Sequence, residues 1–431
     1  MSRNVEKVIQ NDGINVHIIP SKKYKTITIV AKLKTAMERD TITKRALLPV
    51  LLRQGTKKYP SRELLQDRLD DLYGASLSLD GGKAGDDHVL SVRMEIANEK
   101  FIPNESSIIE DGIEFLKEVI FHPNITDNGF ASDLVAREKE LLKQQLRALK
   151  DNKVNFAQMR LIDEMCDGET FQIHAQGYEE DLEAITPQNL YEYYQTVIQD
   201  NQLDVYMLGD FNHDEMAELL QSSLGRPSYV RNDRKAKAEI TGLKDNRPQE
   251  IIEKQDIQQA KLHIGYRTHT TFKDDDFAAL LVFNGIFGAF PNSKLFLNVR
   301  EKHSLAYYVA SGLEGFKGIM YVYSGIAGSD YEKTTTIIEE QLNEVIAGTF
   351  SEENLEETKA LLLNDIVETM DDAQGLIEVM YQNVIGETGI ASPEALLDRL
   401  KEVTKEDVIR VAKKIEKDTV YLLTSKEANN E

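Results

Sequence analysis

Residues 14–20 (INVHIIP) and 25–33 (KTITIVAKL) alternate apolar and polar side chains and are rich in β-branched residues. That pattern predicts two half-buried strands. The next stretch behaves differently. In KRALLPVLLRQGTKKYPS, residues 44–61, Ala46, Leu47, Leu48, Val50, Leu51 and Leu52 leave no polar face before a glycine stop at Gly55. A short buried helix is predicted, yet Pro49 sits inside it, where a proline removes one backbone hydrogen bond and costs about 3 kcal/mol. A second helix is expected over 61–73 with Ser61 as N-cap, followed by a hairpin of 75–80 and 88–96 joined by the turn-rich DGGKAGDD. Helical spacing returns at 107–121, where Ile109, Ile113, Leu116 and Ile120 form one stripe, and again from about 127 to 150. A helix over 187–198 and a strand Leu203–Leu208 come next.

Between residues 225 and 248 the text turns polar and basic, with two prolines and no periodicity, as a linker does. The same order of elements then resumes. A strand at 260–266 and an apolar helix at 276–287 precede a short helix at 293–301 and strands at 306–312 and 319–327. Helices at 331–347, 352–370 and 405–416 lead to the strand Val420–Leu423. AITPQNLYEYYQTVIQDNQLDVYML and EVTKEDVIRVAKKIEKDTVYLL match as cap, amphipathic helix and strand, with Thr186 and Thr404 at equivalent positions. An internal duplication of about 200–220 residues per unit follows. The predicted class is α+β: two homologous halves, each a mainly antiparallel sheet with helices packed on one face. The corresponding division is 1–225, a linker 226–248, and 249–431.

Charge narrows the partners. Asp and Glu number 73 against 51 Lys and Arg, giving a net charge of −22. No basic stripe is available to neutralise phosphates, which argues against nucleic acid, and the acidity disfavours an anionic membrane surface. The N-terminal text MSRNVEKVIQNDG lacks the apolar core of a secretory signal, and no run reaches the roughly 18 apolar residues of a membrane span. One cysteine, Cys166, excludes an internal disulfide framework and is expected to be a partly buried small residue. A cytoplasmic location is expected.

Motifs for chemistry are sparse. None of the eight histidines pairs with another at the i,i+4 spacing that aims two imidazoles at one metal, so spacing alone predicts no zinc site in this chain. G-x-S-x-G, S-x-x-K and P-loop patterns are absent, and GIFG at 285–288 reads as two glycines in a turn. The segment NSKLFLNVREKHSLAYYV, residues 292–309, is more informative. Asn292 or Ser293 can cap a helix that ends in Arg300, Glu301 and Lys302, and the following strand bears Tyr307 and Tyr308. Arg300 and Tyr307 can converge across that corner as two donors for a peptide carbonyl or a developing oxyanion. The alternative is that Arg300 pairs with a carboxylate and Tyr307 packs in the core.

GTKKYPSRELLQDRLDDLYGA, SKLFLNVREKHSLAYYV and the duplicated layout resemble the M16 family of zinc metallopeptidases, across essentially the whole chain. The resemblance places the family's Arg–Tyr pair on Arg300 and Tyr307. It places the inverted zinc motif His-x-x-Glu-His on Ala46-Leu47-Leu48-Pro49-Val50, so Ala46 and Val50 replace both histidines and Pro49 the catalytic glutamate. In REKELLKQQLRAL, the first family glutamate matches Glu138, while the ligand position holds Gln145. Glu138 is expected in a structural pair or cap.

The resemblance therefore implies a chain with no catalytic residue and no metal of its own, inactive alone. It implies a substrate-binding subunit that grips peptide for a homologous partner carrying His-x-x-Glu-His and the zinc. Two alternatives remain. One is a catalytically inert scaffold or peptide-binding protein, and the other an independent peptidase with a displaced metal site. Without the partner, the isolated chain could close the family's two-unit chamber as a homodimer.

Overall fold

The alternating segments of the first half assemble into a six-stranded sheet. The computed structural model describes residues 6–11, 13–226, 229, 248–386 and 392–426. Strands β1 (Lys7–Asn11), β2 (Ile14–Pro20), β3 (Thr26–Ala36), β4 (Ser76–Ala84), β5 (Asp87–Ala97) and β8 (Gln202–Gly209) lie in the order β1-β2-β8-β3-β5-β4. A separate two-stranded ribbon pairs β6 (Ile125–Thr126) with β7 (Gly129–Phe130). Apolar residues on one face of the large sheet, among them Val16, Ile29, Val92 and Val205, form a core with helices of the same unit. Those helices are α1 (Ile42–Leu52), α2 (Arg62–Asp71), α3 (Ile108–Phe121), α4 (Ser132–Asp151), α6 (Pro187–Asp200) and α7 (His213–Leu224).

The second half repeats the design. Strands β9 (Gln249–Gln255), β10 (Ala260–Arg267), β11 (Ala306–Glu314), β12 (Ile319–Ile326) and β13 (Glu416–Ser425) lie in the order β11-β12-β10-β13-β9. The run β4-β5-β3-β8-β2 has the same order. It also has the same directions, because β2 is parallel to β8 as β9 is to β13, and every other pair is antiparallel. One face of this sheet packs against α8 (Phe277–Asn284), α9 (Tyr331–Ile346), α10 (Glu352–Asp371), α12 (Pro393–Glu402) and α13 (Lys405–Ala412). α11 (Ala373–Ile385) starts at its N-cap Asp372. Thr186 and Thr404 each close a capping box, with Asn189 and Asp407, so the duplication extends to the hydrogen bonds that start the two equivalent helices.

Two expectations need correction. The helical pattern of 127–150 is α4, and Asn152 then caps a further helix, α5 (Lys153–Met165). Ala148–Gln172 belongs to the second unit, not to the first as a division at residue 225 supposes. Ala157 and Leu161 pack on Tyr421 and Leu423, while Met165 and Cys166 pack on Ile319. Arg267 ties the end of α5 down by donating to the Met165 carbonyl at 2.7 Å and to Glu169 at 2.6 Å. The second sheet is thus covered on both faces. Most of the expected linker 226–248 lies outside the described residues.

The hairpin also differs. DGGKAGDD is mostly strand, because β4 continues to Ala84 and β5 begins at Asp87, with only Gly85 in the left-handed region at φ +60°. Gly81 allows this extension: a Cβ there would lie 2.6 Å from the His88 ring, so the imidazole lies against bare backbone. Among the described residues, no helix is long and apolar enough to cross a membrane.

Candidate functional site

α1 runs unbroken through Pro49, which leaves the Arg45 carbonyl without its usual i+4 donor. Leu47, Leu48, Leu51 and Leu52 are all buried in the first core. At about 1.5–3 kcal/mol per buried leucine, their packing outweighs the proline. The start of the helix is pinned by the Arg45 guanidinium, itself buried, which donates to His88 Nδ1 at 2.8 Å, Asn201 Oδ1 at 2.7 Å and the Leu33 carbonyl at 2.6 Å. Past its end, Gly55 lies so close to the Pro60 backbone that a Cβ would sit 2.8 Å from the carbonyl carbon.

Zinc requires three donors and a bound water. Ala46 and Val50 present alkyl groups that pack against the core. Pro49 is buried and Gln145 exposed. Glu138 is 5% exposed, and its Oε1 accepts from Arg137 Nη2 at 2.9 Å and Nε at 3.0 Å. The Gln54 amide also reaches it, at 3.4 Å. This donor set does not fit a zinc ion, and Glu138 works as a structural ion-pair partner. Among the described residues, no group of three or more His, Cys, Asp or Glu side chains could hold a metal. His263 is buried beside Gln158 and His269 is exposed beside Glu416.

The second half builds a different site. α8 is apolar on all sides and continues into a π-helical turn, Gly285–Ala289, rather than the simple glycine turn the sequence suggests. Gly288 is pressed under β11, where a Cβ would lie 2.5 Å from Ser311 Oγ, and that hydroxyl donates to Asn284 at 2.7 Å. The Ser293 hydroxyl accepts from the Phe296 N–H, and a second π-helical segment spans Phe296–Lys302. Its inner residue Val299 is buried, and Asn298 donates to Gln341 of α9 at 2.7 Å. Arg300 is left on the outer side over the Phe296 ring, 4.6 Å from its centroid. Single π turns of this kind concentrate at functional sites.

The chain then reverses through Ser304, a non-glycine residue at φ +52°. Ala306 pairs with Ile326, and Tyr308 with Gly325, so Tyr307 is the extra residue of a β-bulge. Bulges re-aim side chains. Tyr307 accordingly points out of the sheet and is 79% exposed. It does not pack in the core. Arg300 does have a carboxylate nearby, with Nε 3.7 Å from Glu301, but its side chain stays 42% exposed. Arg300 and Tyr307 line one open cavity of about 660 Å³, together with Gln259, Ser304, Gly325 and Asp330. That volume suits a few residues of an extended ligand. The bulge had a signal in the sequence: consecutive Tyr307 and Tyr308 break the alternation of the strand. The two π turns had none.

A family model described as the "Peptidase M16 inactive domain" matches residues 184–362. Over 421 residues, 97% of each chain, the sequence is 41% identical to the "probable inactive metalloprotease YmfF" of Bacillus subtilis (strain 168). The crystal structure of a conserved protein from Enterococcus faecalis V583 superposes with a TM-score of 0.90 at 32% identity, covering 99% of this chain and 100% of that one. A peptidase M16 inactive domain from Pseudomonas fluorescens shares the fold at a TM-score of 0.79 and 16% identity, covering 99% of this chain and 100% of its own.

Proposed function

The chain belongs to the M16 peptidase family as one of its inactive members, and we propose that it is the substrate-binding, non-catalytic subunit of a heterodimeric M16 zinc peptidase. One contrast carries this reading. The positions of the zinc motif hold Ala46, Pro49, Val50 and Gln145, while Arg300 and Tyr307 line an open cavity. Arg300 offers a fork of N–H donors and Tyr307 a single hydroxyl, which together suit a peptide carbonyl oxygen. If that carbonyl becomes tetrahedral at a partner's centre, both donors strengthen as negative charge develops on the oxygen.

The zinc and the general base belong, in this proposal, to a homologous partner bearing His-x-x-Glu-His. The assembly is proposed to act in the cytoplasm, in keeping with a single, buried cysteine. Turnover of a peptide by the assembled pair tests the role of this chain. Arg300→Ala in this subunit alone should lower kcat/KM by about 10²-fold, the scale of losing one oxyanion donor. Unchanged turnover by that mutant complex would overturn the assignment.

A further inference from the structure

Next to the Arg300–Tyr307 cavity, three strands place Lys261, Gly325 and Tyr308 in one row. Lys261 on β10 pairs with Gly325 on β12, and Gly325 pairs with Tyr308 on β11. Gly325 itself lines the cavity. Because it has no side chain, the Tyr308 ring folds across it: a Cβ at Gly325 would lie 2.5 Å from Tyr308 Cε1. The Lys261 ammonium reaches the same spot, 5.6 Å from the Tyr308 centroid. It donates at 2.6 Å to the amide oxygen of Gln259, which is a second cavity-lining residue.

This lysine is unusual for so acidic a chain. With 73 acidic residues available, none among the described residues forms an ion pair with it. Its one bonded acceptor, Gln259, is neutral, and two of its three N–H donors remain for other partners. Burial lowers its pKa, as expected for a compact cation that has lost part of its water without gaining a counter-charge. Arg300 differs, having Glu301 beside it. A ligand that brings a carboxylate would supply what Lys261 lacks.

We propose that Lys261, held by Gln259 against Tyr308, forms an anion subsite beside the Arg300–Tyr307 cavity, adjoining its lining residues Gln259 and Gly325, and takes a carboxylate of the bound peptide. The inference rests on the peptide-binding reading above. It narrows the ligand to peptides carrying an acidic side chain or a free C-terminus at this subsite. Selection for such a peptide is local, since the net charge of −22 repels anions at longer range.

Fluorescence anisotropy with the full chain tests the subsite. The probes are rhodamine-labelled peptides on one neutral Ala/Leu/Ser host: an amidated peptide, an amidated series with one Glu stepped along it, and the host with a free C-terminal carboxylate. At least one carboxylate-bearing peptide should bind about tenfold tighter than the neutral amide, the scale of one charge-assisted hydrogen bond. A gain in the Glu series identifies a side-chain carboxylate, and a gain with the free terminus identifies the C-terminus. Lys261→Met should erase the difference between carboxylate-bearing and neutral peptides, and Lys261→Arg should retain most of it. Equal affinities across the set, or a gain that survives Lys261→Met, would overturn the subsite alone. No binding of any peptide would overturn the peptide-binding reading and the subsite with it.

Discussion

Arg300 and Tyr307 reach the same cavity from two backbone irregularities, a π-helical segment and a β-bulge. A regular helix and a regular strand would aim both side chains elsewhere. Neither residue fills the core: Tyr307 is 79% exposed, and Arg300 rests on a half-buried Phe296. Arg300→Ala and Tyr307→Phe should therefore each change unfolding free energy by less than about 0.5 kcal/mol, as exposed substitutions usually do. Chemical denaturation checks this. A large loss of stability would mean that the pair is structural.

The helix α5 yields the opposite expectation. Leu161 is fully buried and packs with Ala157, Tyr421 and Leu423. Leu161→Ala should destabilise the protein by about 2–4 kcal/mol, because it leaves a cavity as well as losing transfer energy. An effect below about 1 kcal/mol would show that α5 does not seal this face of the second sheet.

Stability should also depend on pH. Burial pushes the His88 and His263 pKa values down to about 3, with the cations of Arg45 and Lys261 adding to the effect. The folded values lie below the ordinary histidine value of 6.5, so the unfolded chain binds more protons between about pH 3 and 6.5. Their stabilising contribution is complete above that window and is lost as pH falls through it. His17 acts in the other direction. Its burial opposes protonation, but the carboxylates of Asp204, 3.6 Å away, and Glu6, hydrogen-bonded at 2.6 Å, outweigh it and raise the pKa. His17 therefore stabilises below 6.5 and loses that effect as pH rises through its folded value. His263→Gln isolates one contribution: between pH 6 and 4.5 wild type should lose roughly 1 kcal/mol per pH unit more than the variant. Urea titrations at each pH measure the difference, and parallel curves would contradict a neutral buried His263.

Much of this architecture was legible in the sequence, because the signals were local. Thr186 and Thr404 announce their helices through cap chemistry, and β-branched alternation announces β2 and β3, although these strands are buried on both faces, His17, Thr28 and Lys32 included, where the alternation predicts half-buried ones. The family resemblance that places Ala46, Pro49, Val50 and Gln145 at the zinc-motif positions likewise rests on local text. The destination of α5 was not legible. Its apolar stripe states that one face is buried but not against which sheet, and the residues it meets, Tyr421 and Leu423, lie far along the chain. The π turns escaped for a related reason: close approaches such as Gly288 to Ser311 depend on tertiary packing. Lys261 is similar, since its isolation from acids depends on three strands coming together.

Affinity purification of the tagged chain from its native cells, with quantification of what co-elutes, tests the central claim most directly. The account predicts a homologue of similar length carrying His-x-x-Glu-His, recovered in near-equal amount. Recovery of this chain only with itself, or with unrelated proteins, would contradict a split peptidase and leave an inert scaffold with a peptidase fold.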